Sequence, residues 1–182
     1  MSDGPTSALH DFAVSHSWLT GTVIVTTAIC ILACPAILIA AWLRRPQLRL
    51  VAATFLGLLL TDLACVLTAH TGFRDRPFVA LRFEPLFPHS ANTSFPSSTT
   101  AFAMTCAMVM LLAWRRAGIA LSVGAVFVGF GCVYVGVHWV NDVLVGLVIG
   151  VGCGAISWLA LGLRRVSALL MDWDKRLQRR RT

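Results

Sequence analysis

His138-Trp139-Val140-Asn141-Asp142 is followed by VLVGLVIGVGCGAISWLALGL (143–163), with no further charged residue until Arg164. An uncharged apolar run of about 20 residues is the length that crosses a hydrocarbon core. Its entrance is polar and its exit basic, so the stretch reads as a membrane helix with chemistry at one end. Four more such runs lie upstream, at Thr22–Trp42, Leu50–Ala69, Thr99–Trp114 and Ile119–Val137, the third a little short. Hydrophobic residues make up 57% of the 182 and charged residues only 13%, which excludes an ordinary soluble domain. The expected fold is an all-α integral membrane bundle of five spans, one domain over 1–170, followed by a basic tail over 171–182.

Ahead of the first span, Ala8, Leu9, Phe12 and Ala13 recur at helical spacing and predict a short interfacial amphipathic helix. Orientation follows from the basic residues. Arg44, Arg45, Arg49, Arg115, Arg116, Arg164, Arg165, Lys175, Arg176, Arg179, Arg180 and Arg181 all fall on one side of a five-span layout, leaving only Arg74, Arg76 and Arg82 opposite. The rich side should be cytoplasmic, which puts the N-terminus outside and the C-terminus inside. The formal charge of +7 is thereby a topology signal and tail–lipid contact, and no nucleic-acid partner is expected. All six cysteines lie in apolar stretches and read as packing residues, with no metal or other cofactor implied. Gly146, Gly150 and Gly154 on the fifth span predict close helix packing within the monomer; the oligomeric state is left open.

Three polar segments converge on the outward face. Arg74-Asp75-Arg76-Pro77 opens a long loop that also carries Arg82 and His89, and Arg76 can fork onto phosphate oxygens. Being in a loop, Arg76 is expected to be removable without harm to folding. Ser94-Phe95-Pro96-Ser97-Ser98-Thr99 leads into the third span, where Ser97 either caps the helix or joins its free N–H groups in holding an anion. His138 and Asp142 stand one helical turn apart, so that the carboxylate can accept from one ring nitrogen and leave the other free to attack. Asp62, inside the second span, is expected either to line a polar cavity or to bond Thr61 and a hydroxyl such as that of Thr105.

The stretch from Gly72 to Gly150, with RDRPFV, HSANTSFPS and VYVGVH in order, resembles the type-2 phosphatidic acid phosphatase superfamily, and within it the BcrC-type undecaprenyl-diphosphate phosphatases. That family's pattern is Lys-x6-Arg-Pro, Pro-Ser-x-His, then Ser-Arg-x5-His-x3-Asp. The resemblance implies that His138 is a nucleophile forming a phosphohistidine and that Asp142 orients it. Arg76 and Ser97 would hold phosphate oxygens, with Arg74, Ser98, Thr99 and His89 as further substrate contacts. It implies a lipid phosphate or diphosphate substrate amid membrane lipids. The chain departs from the pattern at four positions. Ala69 stands for the Lys, Thr99 for the second His, which protonates the leaving group, and Gly131-Cys132 for the Ser-Arg pair. Three readings stay open: a lipid diphosphatase, a non-hydrolytic prenyl-diphosphate transferase or cyclase on the same scaffold, and a lipid-phosphate-binding pseudoenzyme.

Overall fold

The computed structural model describes residues 5–44 and 47–163. All regular structure there is helical: α1 Pro5–Ser15, α2 Ser17–Arg44, α3 Leu48–Ala69, α4 Pro77–Ala80, α5 Ser98–Ala113, α6 Arg115–Tyr134 and α7 Val140–Ala160. Four of these, α2, α3, α6 and α7, are long and apolar enough to cross a membrane, and α5 is a shorter apolar helix. The predicted amphipathic segment is α1. The basic tail predicted over 171–182 lies outside the described residues.

At 1.5 Å per residue α5 is only about 24 Å long, and its position explains why that suffices. It packs against α7, α6 and α3, and Ala101, Thr105, Ala107, Val109 and Met110 on it are fully buried. The outer helices turn Leu32, Phe55, Val123, Val148 and Leu159 outward, an apolar girdle suited to lipid and costly in water.

Three glycines on α7 set the α5–α7 distance. A Cβ on Gly146 would lie 2.5 Å from the Ser97 carbonyl oxygen, one on Gly150 2.5 Å from that of Ala101, and one on Gly154 2.9 Å from that of Thr105. Each glycine thus meets the carbonyl one turn further along α5, and backbone cannot move aside as a side chain can. Gly150→Ala should therefore lower stability by about 1–3 kcal/mol or more. Gly152→Ala, where an added Cβ meets nothing within 4 Å, should be close to neutral. Thermal melting in detergent compares the two; equal melting points would remove the close-packing explanation.

Two expectations change. The fourth span stops at Tyr134 rather than Val137, because Gly136 adopts φ +78° and turns the chain. The Val137 and His138 N–H groups then both donate to the Cys132 carbonyl, at 3.1 and 3.3 Å. Asp62 neither lines a buried cavity nor bonds Thr61. Thr61 is buried with its hydroxyl 2.6 Å from that of Thr105, and Asp62, about 100° further round the helix, lies on the exposed face of α3.

Candidate active site

The site forms where α3 and α6 end and α5 and α7 begin, under the 70–97 loop. Arg76, the residue before α4, is 5% exposed. Its Nε and Nη2 donate to Asn92 Oδ1 at 3.0 and 2.8 Å, and its Nη1 donates to the Val137 carbonyl at 2.9 Å. Arg76 is thus not the solvated loop residue expected from sequence: it ties the long loop to the α6–α7 turn. Burial pulls its pKa below the ordinary arginine value while nearby Asp142 acts to raise it, and a guanidinium remains charged in proteins.

His138 is 4% exposed, with Nδ1 2.8 Å from the Ser94 carbonyl oxygen. A carbonyl only accepts, so Nδ1 carries a proton. Nε2 lies 3.4 Å from Arg76 Nη1, an N–H donor, and so turns its acceptor side to the guanidinium.

Asp142 is fully buried in the first turn of α7 and 3.8 Å from His138 Nδ1, too far for a direct hydrogen bond. Ser94 stands between them. Its hydroxyl donates to Asp142 Oδ2 and sits 3.5 Å from His138 Nδ1. Asp142 Oδ2 also accepts from the Trp139 N–H at 2.9 Å, fixing the start of α7. The carboxylate therefore orients His138 through Ser94, and the direct acceptor of the ring proton is the Ser94 carbonyl. The sequence reading assigned no role to Ser94 or Asn92; each is a short polar residue in a loop, where no periodicity marks which way it points.

The other predicted residues divide. Ser97 is buried at the start of α5, but its hydroxyl neither caps the helix nor stands free: it lies 3.0 Å from the Thr100 hydroxyl, while its N–H donates to the Asp142 carbonyl at 3.1 Å. Arg74 is 44% exposed, with Nη1 3.7 Å from Asp142 Oδ1 and its guanidinium 4.8 Å from the centre of the Trp139 ring. It is a second cation at the rim. Ser98 lies on the exposed side of the first turn of α5. The His89 ring stands edge-on to that of His138, with centroids 6.4 Å apart.

Thr99 and Cys132 face a cavity of about 180 Å³, whose walls also include Ile24, Thr27, Ile31 and His89. Ile31 and Thr99 are shared with a larger cavity of about 490 Å³ that runs along α2 past Pro35 and Leu38 to Leu58 and Phe102. A nearly uncharged groove thus leads away from the polar site between α2 and the bundle centre. Thr27 presses into α6 so closely that a Cβ on residue 131 would overlap its hydroxyl, and that hydroxyl is buried without a hydrogen-bond partner.

Comparison with known proteins places this arrangement. The model of the PAP2 superfamily matches residues 47–165. The chain is 32% identical to undecaprenyl-diphosphatase BcrC of Bacillus subtilis over 153 residues, covering 81% of this chain and 77% of that one. The crystal structure of Aquifex aeolicus LpxE superposes with a TM-score of 0.66 at 27% identity, covering 84% of this chain and 91% of the other. A transmembrane PAP2-type phosphatidylglycerolphosphate phosphatase from Bacillus subtilis shares the fold, with a TM-score of 0.60, 23% identity and 88% and 86% coverage. The family match takes in α3 to α7 and every helix end that builds the site, and this multi-pass membrane chain belongs to the PAP2 superfamily.

Proposed function

We propose that the chain binds a polyprenyl or other long-chain lipid diphosphate and removes its terminal phosphate through a phosphohistidine on His138. The observation that carries this reading is His138 Nε2 turned toward the Arg76 guanidinium at 3.4 Å, near an apolar groove that His89 and Val137 border. Phosphate oxygens take the guanidinium and Arg74, and the hydrocarbon chain takes the groove along α2. His138 Nε2 attacks the terminal phosphorus, the bond to the bridging oxygen breaks, and its electron pair leaves with the lipid phosphate. The ring now carries positive charge, and Asp142 at 3.8 Å offsets it. Water then attacks the phosphorus, the P–N bond breaks, and inorganic phosphate departs.

The replaced positions set the substrate class. A missing general acid costs about 10²- to 10⁴-fold in rate, and a missing transition-state donor about 10²- to 10³-fold. A diphosphate loses a phosphate oxygen, a far better leaving group than the alkoxide of a monoester, so it needs less of what Thr99 and Cys132 fail to give. Phosphate release from a polyprenyl diphosphate in detergent micelles, lost on His138→Ala, is the expected result. The almost wholly apolar lining of the cavity at Thr99 and Cys132 favours a second reading, a prenyl-diphosphate transferase or cyclase. A new organic product formed without inorganic phosphate would replace the first reading by the second, and binding without any product would leave a pseudoenzyme.

The site should face outward, with the N-terminus outside and the C-terminus in the cytoplasm. Single cysteines at Ser2 and Thr182, in a chain with its six native cysteines replaced, should label from opposite sides of intact cells. Labelling of both from one side would overturn the orientation.

A further inference from the structure

We propose that His89 supplies the leaving-group proton that residue 99, a threonine in this chain, cannot give. The inference rests on the phosphohistidine reading above. His89 reaches the site from the loop between α4 and α5, and it borders the same cavity as Thr99 and Cys132. A loop imidazole thereby reaches the cavity at which the helix offers only Thr99.

The separation suits the task. A nucleophile approaches phosphorus to about 3–3.5 Å, and an acid reaches its oxygen at about 2.6–3.2 Å. The His89 and His138 ring centroids are 6.4 Å apart, so one phosphoryl group can lie within reach of both rings. The rings meet edge to face at 65°, so neither covers the other. His89 keeps part of its surface exposed.

The charged and titratable groups around it are Arg76 and His138 on the site side, with the Cys132 thiol on the cavity wall and Asp142 beside His138. Burial chiefly, and then Arg76 and His138, push the His89 pKa below its ordinary value. A bound phosphate brings negative charge between these groups and favours the protonated ring, so that substrate arms the acid. In the first step the His89 proton passes to the bridging oxygen as its bond to phosphorus breaks. In the second, the neutral ring takes a proton from the attacking water as the P–N bond breaks, and both histidines return to their starting states.

The test uses the full chain in micelles with a polyprenyl diphosphate. His89→Ala should lower phosphate release by about 100-fold. Added imidazole should restore part of the loss, since the position is open to solvent. Thr99→His in the His89→Ala background should restore it as well, by returning an acid to the cavity. A loss of less than about twofold, or a loss that neither imidazole nor Thr99→His repairs, would assign His89 no proton-transfer role. Wild-type protein that releases no phosphate, or His138→Ala protein that still does, would sink the phosphohistidine reading and this inference with it.

Discussion

Thr99→His combined with Cys132→Arg should raise phosphate release from a lipid diphosphate by about tenfold or more, given the usual worth of an acid and a transition-state cation. Both side chains face the cavity of about 180 Å³ that His89 also borders, so the larger groups have space to enter. The arginine should carry most of the gain, because His89 already offers a proton and none of the described residues lining that cavity carries a guanidinium. Adding His138→Ala should abolish the gain, since no phosphohistidine then forms. Arginine at a position only 8% exposed on a membrane helix is costly if it fails to reach the polar end. Size-exclusion profiles and melting points must therefore match wild type before rates are compared. A folded double variant with no increase would count against latent hydrolysis and favour the prenyl-transfer or binding readings.

Arg76→Ala should weaken lipid-diphosphate binding by about 1.5–3 kcal/mol, the scale of a charge-assisted hydrogen bond, which is roughly 10- to 100-fold in affinity. The buried position adds a second effect. Without the guanidinium, Asn92 Oδ1 and the Val137 carbonyl lose their donors, so the long loop should loosen and the melting temperature should fall as well. Arg76→Lys keeps the charge but not the fork, and should recover only part of each loss. Titration calorimetry and melting curves on the same preparations separate the two effects. Unchanged affinity in Arg76→Ala would mean that phosphate is held elsewhere.

The bundle was legible in the sequence because bilayer thickness dictates helix length and because polar residues, glycine or proline flank each apolar run. Helix ends at Ala69 and near Ser98 follow directly from that rule. The site was legible as a set of residues but not as a network. His138 and Asp142 share a helical spacing, yet the bonds that orient the ring come from Ser94, 44 residues upstream. Its direction is set by how the loop folds over the helix ends and not by any local period. Arg76 misled for the same reason: a loop in sequence became a buried tie once Asn92 and the α6–α7 turn closed around it. Asp62 misled by a single step of the helix, since Thr61 and Asp62 are equally polar and only packing decides which one turns inward.

The overlap between Thr27 and the Cβ that residue 131 lacks bears on how this chain changes over time. The family's serine at that position needs space now filled by a hydroxyl from α2, so Gly131→Ser is sterically blocked while Thr27 remains. Thr27 must shrink first, and shrinking it alone leaves a void beside the site. The two positions are therefore epistatic, and each holds the other in its present state. A change to the family motif at residue 131 requires a coordinated double step, whereas changes at Thr99 and Cys132, which border open space, meet no such barrier. The departure from the family pattern works as a ratchet at residue 131 and as a reversible setting at residues 99 and 132.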